Sequence, residues 1–171
     1  MKALKILAIT VLFSFLFNLS YAQKNKQEND INRIINLYLD IKNGLVNDNG
    51  TIVKIQSNKL YRILTRTPFR GLTEDQGNLF GSYLAEIVDN AQQMCYTVNV
   101  KEQRPYFAAL SIHLYDLLKQ LKLNDITIYK QYCPMNNAYW MSETPVIENP
   151  YYNFSGYSTV GKTTEILAAN K

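Results

Sequence analysis

The residues of this chain best equipped for chemistry gather near its C-terminal end, in Tyr132-Cys133-Pro134-Met135 followed by Trp140-Met141-Ser142. The stretch holds one of the two cysteines, two of the four methionines and the single tryptophan. Thiolate and thioether sulfur are soft donors that suit Cu(I). On a strand, Cys133 and Met135 would project to the same face, and deprotonated Cys133 would be a metal ligand. Two other readings stay open. Both residues can pack as hydrophobes, or Cys133 can pair with Cys95 in a disulfide, which an exported chain permits.

Other motifs narrow the chemistry. His113 is the only histidine. It falls at the rim of an apolar helical stripe, about 100° from Leu114, where a half-buried ring is a plainer reading than a ligand or general base. No His-Glu-x-x-His, Gly-x-Ser-x-Gly or Cys-x-x-Cys spacing occurs, so the pattern points to a chain that is not an enzyme. Gly156, Gly161, Lys162 and Thr163 match a phosphate-binding loop letter for letter. Only eight residues follow Thr163, too few for the long helix whose N-terminus must cradle phosphate, so no nucleotide is expected. Arg104 and Ser111 share one side of a helix, and Arg104 is suited to hold backbone carbonyls or a carboxylate such as Glu148.

The elements that must position these residues begin after an N-terminal signal. Residues 1–22 read as a signal peptide: Lys2 and Lys5 precede an apolar run from Ile6 to Phe17, and Ser20 and Ala22 suit the cleavage site. The run falls short of the roughly 20 apolar residues of a membrane span. A periplasmic or secreted chain without a stable span follows as an expectation. Removing 22 of the 171 residues leaves 149, one domain by size. Without Lys2 and Lys5, 16 basic residues face 14 acidic ones, too little charge for a nucleic-acid footprint.

Residues 23–29 are polar and aperiodic and read as a flexible leader; residues 30–171 read as one domain. Ile31, Ile34, Ile35, Tyr38, Ile41 and Leu45 recur at helical spacing, and Asn47-Asp48-Asn49-Gly50 stops them. A second helix is expected from about Thr51 to Thr65, with Ile52, Val53, Gln56, Leu60, Ile63 and Leu64 on its face and Pro68 and Gly71 closing it. The third opens with a capping box, Thr73-Glu74-Asp75-Gln76, and Gly77 and Gly81 suggest close approach of a neighbour. The fourth, from about Glu102 to Lys122, carries Phe107, Leu110, Leu114, Leu117, Leu118 and Leu121 on one face, with Pro105 in its first turn. Short connections make this mainly α, an antiparallel four-helix bundle. From Ile126 to Tyr132 the residues turn β-branched and aromatic and read as a strand, with 138–142 as its partner. Residues from about 125 to 171 are expected to form a small β- and loop-rich cap against one end of the bundle. Residues 163–169 read equally as a short helix or a strand.

Three segments in order carry a resemblance. Tyr38-Leu39-Asp40-Ile41-Lys42-Asn43-Gly44-Leu45-Val46-Asn47-Asp48 is similar to one family's opening. Gln103-Arg104 with Phe107 and Leu110-Ser111 is similar to its "QR..F..LS" helix. Cys133-Pro134-Met135, Trp140-Met141-Ser142 and Ile147-Glu148-Asn149-Pro150-Tyr151-Tyr152 are similar to its ending. The family is the exported one catalogued as domain of unknown function 3347, common in Bacteroidetes-type bacteria and often found beside copper and heavy-metal efflux systems. The resemblance implies a soft-metal role. Relatives continue with a further Met and Cys; this chain runs instead through 153–161 without them. A site built on Cys133 and Met135 would then draw on Cys95, Met94, Met141 or His113.

Two functions follow as expectations. One is an exported, non-enzymatic accessory protein that binds a soft metal such as copper in connection with efflux or homeostasis, with an envelope protein of the efflux system as its partner. The other is a metal-free envelope interaction module, whose Tyr-rich cap meets a partner protein through aromatic surface.

Overall fold

A computed structural model of the chain describes residues 30–66, 72–152 and 156–170. The signal peptide over 1–22, the leader over 23–29, and Pro68 and Gly71 lie outside the described residues.

The first helix, α1, spans 30–46. Its apolar residues Ile31, Ile34, Ile35, Tyr38, Ile41 and Leu45 are all buried, as their spacing requires. Asp48 takes a left-handed φ of 49° in the turn that follows. Asn49 Oδ1 then accepts the Ile52 N–H at 3.1 Å and so caps α2, Gly50–Arg66. Val53, Leu60 and Leu64 of α2 are buried, whereas Ile52 lies outside the core. Gly50 is required by close approach: a Cβ there would sit 1.8 Å from the Val98 carbonyl oxygen.

The helix α3, Glu74–Gln93, starts with the expected capping box between Thr73 and Gln76. Gly77 and Gly81 permit no close approach, since nothing lies within 4 Å of a Cβ at either; this side of α3 faces open space. The helix α4, Val100–Leu121, begins earlier than expected because Asn99 caps it through the Lys101 N–H. Pro105 therefore sits in the second turn, where the missing N–H deprives the Lys101 carbonyl of its helical donor. Gln103, fully buried, places Nε2 within hydrogen-bond distance of three carbonyls; its two protons serve the nearest, Thr97 and Gly50, and that of Met94 lies beside them at 3.3 Å. One amide thus ties the start of α2 and the turn after α3 to α4.

Three antiparallel strands follow: β1 Ile128–Cys133, β2 Ala138–Ser142 and β3 Lys162–Leu167, in the order β2-β1-β3. The undecided segment 163–169 is thus mostly strand. The mainly α bundle with a small C-terminal β cap is the observed architecture. The cap does not sit on an end of the bundle, however. It is held at Arg104, Tyr115 and Lys119, so it runs along about 22 Å of α4 at 1.5 Å per residue.

The outer edge of β2 faces the helices, and two hydroxyls close it. The Met141 N–H donates to Tyr38 Oη at 2.9 Å, and Tyr151 Oη donates to the Tyr139 carbonyl at 2.6 Å. Both backbone groups belong to residues outside the hydrogen-bonded pairs of the β1–β2 ladder, so they point away from β1. An edge that would otherwise invite another strand is satisfied inside the molecule.

Candidate binding cleft

The cap meets the bundle through a buried chain of hydroxyls. The Phe107 carbonyl can only accept, so Ser111 Oγ–H donates to it at 2.7 Å. The Met141 N–H can only donate, so Tyr38 Oη accepts from it. The Tyr38 O–H must therefore donate to Ser111 Oγ, 2.7 Å away. Burial pushes the Tyr38 phenol well above its ordinary pKa, and burial does the same to Tyr151. Phe107 stacks on Tyr38 at 5.1 Å between centroids and lies 6.0 Å from Tyr151, which places aromatic packing on the same joint.

A second clamp is ionic. Lys42, 1% exposed, lies 3.2 Å from a Glu143 oxygen and 3.7 Å from one of Glu148. Its one ammonium holds both ends of the loop between β2 and Asn149. Asn149, fully buried, closes the next loop by donating from Nδ2 to the Val160 carbonyl and accepting the Tyr151 N–H on Oδ1. Lys42 is not among the residues that the sequence singles out, although a signal is present. A lysine four residues after Tyr38 falls on an otherwise apolar stripe.

Beside this seam lies a cleft of about 710 Å³, within the range of small-ligand sites. Arg104 and Lys101 of α4 line one wall with Asp48 of the α1–α2 turn; Asn136, Ala138, Tyr151 and Tyr152 of the cap line the other. Arg104 behaves as its geometry suggests, with one correction. Its Nε donates to the Pro150 carbonyl at 2.9 Å, but its carboxylate partner is Asp48, at 2.5 Å, rather than Glu148. Glu148 is taken by Lys42. Lys101 forms no ion pair among the described residues. The side chains of Arg104, Lys101 and Asp48 give the cleft a net positive wall. Tyr152 Oη donates to Asn136 Oδ1 at 2.5 Å across the cap wall.

The candidate soft donors are dispersed. Cys133 ends β1 and is fully buried; Met135 lies in the hairpin turn and is 48% exposed. Their expected common face does not exist, because Pro134 has no N–H to continue the ladder and the chain turns through Asn137 at a φ of 49°. Met141 pairs with Lys130 and Cys133 with Ala138, so their side chains point to opposite faces of the sheet. Cys95 follows α3 and donates its thiol to the Ala91 carbonyl at 3.2 Å; burial first raises its pKa, which works against thiolate. His113 is half-buried in the middle of α4, ten residues from Gln103 and so about 15 Å along the axis from the α3–α4 junction. Both cysteines are free, so the disulfide alternative is not realised. Among the described residues no group of three or more His, Cys, Asp or Glu side chains is arranged to hold a metal ion.

The look-alike phosphate loop also resolves. Lys162 opens β3, and the segment runs from a turn at 156–159 into an antiparallel strand. It presents no helix N-terminus to an anion.

The family model described as "Protein of unknown function (DUF3347)" matches residues 34–125, more than half of the chain. The chain belongs to that family. No curated protein and no solved structure matches it. Within this DUF3347 chain the match covers most of α1, the other three helices and the approach to β1. The Asp48, Lys101 and Arg104 side of the cleft therefore lies inside the matched segment, and the cap wall lies beyond it.

Proposed function

We propose that this DUF3347 chain is an exported, non-enzymatic binding module that holds an acidic polypeptide segment of an envelope partner in the cleft between α4 and the cap. The observation that carries the reading is the meeting of Lys101 and Arg104 with Asn136 and Tyr152 at one cleft. Fixed guanidinium geometry, an unpaired ammonium and phenol and amide edges suit a carboxylate-bearing chain. The test is a titration of isotope-labelled protein with an Asp/Glu-rich decapeptide, comparing the parent with Lys101→Glu. Saturable shifts at Lys101, Asn136 and Tyr152, lost on charge reversal, are expected. Absence of saturable binding would sink the reading.

The soft-metal reading rests on the family resemblance, and Met135 gives it one foothold. Its thioether is exposed two residues from Cys133. A competitive Cu(I) titration separates the two. Cu(I) affinity lost in Cys133→Ser with Met135→Leu, with the fold retained, would replace the peptide reading by the metal one.

A further inference from the structure

We propose that the outer groove between α1 and α2 is a binding site for a phosphate-type oxyanion. The groove has a volume of about 430 Å³ and brings together Arg33 of α1 and Lys59 and Arg62 of α2, with Asn36 and Asn58 beside them. Its floor is apolar: Leu37 and Ile63 pack against the core. Charges above such a floor are less screened than charges in open water.

Single unpaired cations such as Lys54, Lys101, Lys122 and Lys162 occur elsewhere among the described residues; what sets this groove apart is that three line it together. Arg33, Lys59 and Arg62 find no carboxylate within 4 Å among the described residues. Lys59 and Arg62 are one helical turn apart, where like charges repel, and Arg33 adds a third charge from the facing helix. The nearest acid in the groove is Asp40. The tight turn after α1 makes the two helices antiparallel, so Asp40 lies towards that turn, where it also lines a neighbouring cavity with Gln56. It is seven residues, about 10 Å, from Arg33. The end holding Arg33 and Arg62 carries two guanidinium groups against one carboxylate, that of Asp30, which lies one turn before Arg33 and outside the lining.

Two guanidinium groups and an ammonium on opposing walls match the several acceptor oxygens of a phosphate better than the two of a carboxylate. The amides of Asn36 and Asn58 supply further donors. The same chemistry is offered by a soluble phosphate ester and by an anionic phospholipid headgroup. This groove shares no residue with the α4–cap cleft, so the two proposals stand or fall separately.

The test uses inorganic pyrophosphate as the probe, at fixed ionic strength, followed by NMR shifts of the folded chain. We expect saturable binding with a dissociation constant below about 1 mM. Arg62→Gln should weaken it at least tenfold, while Lys54→Gln, an equal charge change on the same helix but outside the groove, should change it less than twofold. Equal losses in the two variants, or no saturation, would overturn the proposal. Sedimentation with phosphatidylcholine vesicles containing about 30% phosphatidylglycerol separates the sources. Sedimentation that Arg62→Gln abolishes assigns the headgroup, and pyrophosphate binding without sedimentation assigns a soluble phosphate ester. Sedimentation equal in both variants, with no pyrophosphate binding, would again overturn it.

Discussion

The interior of the bundle and the seam between α4 and the cap are both buried, but they are built differently. The bundle interior is a set of apolar stripes in which Leu110, Leu114, Leu117 and Leu118 belong to one buried cluster with the stripes of the other helices. The seam adds to the aromatic packing of Phe107 and Tyr151 a short series of polar contacts, each made once: Tyr38 to Ser111 and Met141, Lys42 to Glu143 and Glu148, Arg104 to Pro150 and Asp48. Redundant apolar packing loses stability by degrees when trimmed. A buried polar contact behaves asymmetrically, because removing one partner strands the other. Both regions leave buried polar atoms with no hydrogen-bond partner among the described residues, Ser57 Oγ and Gln103 Oε1 in the bundle and Trp140 Nε1 and Gln131 Oε1 in the cap.

The largest expected effect tests that asymmetry at Lys42. Replacing Glu143 and Glu148 together by Ala leaves a buried ammonium without a counter-charge and should cost about 3 kcal/mol. Lys42→Met removes the charge and keeps the bulk, so it should fall within about 1 kcal/mol of the parent. Urea unfolding measures both. A double variant no worse than Lys42→Met would mean that the seam is not held by this charge.

Next comes Tyr38→Phe, expected to cost about 2 kcal/mol because the Met141 N–H loses its acceptor in a buried place. A pH series sharpens the point. Burial raises the phenols of Tyr38 and Tyr151, and burial first, then the Glu165 charge, pushes Tyr115 up to about 12. Each phenol ionises near pH 10 in the unfolded chain. The unfolded state therefore binds fewer protons above pH 10, and stability must fall as pH rises from there towards 12. Below pH 10 these groups contribute their full stabilisation. Tyr38→Phe should show a shallower alkaline slope than the parent, and an unchanged slope would remove Tyr38 from the account.

The contrast also explains what could be read in the sequence. Helix period exposes the bundle because each stripe repeats its signal, as Ile31, Ile34, Ile35, Tyr38, Ile41 and Leu45 do. The capping box at Thr73 is legible because both partners lie within four residues. The cleft is only half legible. Arg104 can be assigned to the cap, but its carboxylate is 56 residues away in Asp48, and by sequence Glu148 is as suitable, although Lys42 holds it in the fold. Cys133 and Met135 mislead for a local reason. Two sulfurs at strand spacing share a face only if the strand continues, and Pro134 ends it. Lys101, Asn136 and Tyr152 carry no local signal at all, because a cleft exists only once the hairpin is laid along α4.

The smallest expected effects come from two glycines, one in each region, and their signs should differ. Gly81 lies in α3, where a Cβ would meet nothing within 4 Å, so Gly81→Ala only reduces the backbone freedom of the unfolded chain. It should raise stability by about 0.5–1 kcal/mol. Gly161 lies in the cap, where a Cβ would approach the Trp140 ring at 2.8 Å and the Tyr132 carbonyl oxygen at 3.0 Å. The ring is wedged against Tyr151 at 6.1 Å between centroids, and the carbonyl belongs to the β1 backbone, so neither yields freely. Gly161→Ala should lower stability by about 1 kcal/mol. Thermal unfolding of the two variants reads both signs. If Gly161→Ala were neutral, the cap would have the same slack as the solvent face of α3, and the distinction between a redundant bundle and a single-contact seam would rest on the polar groups alone.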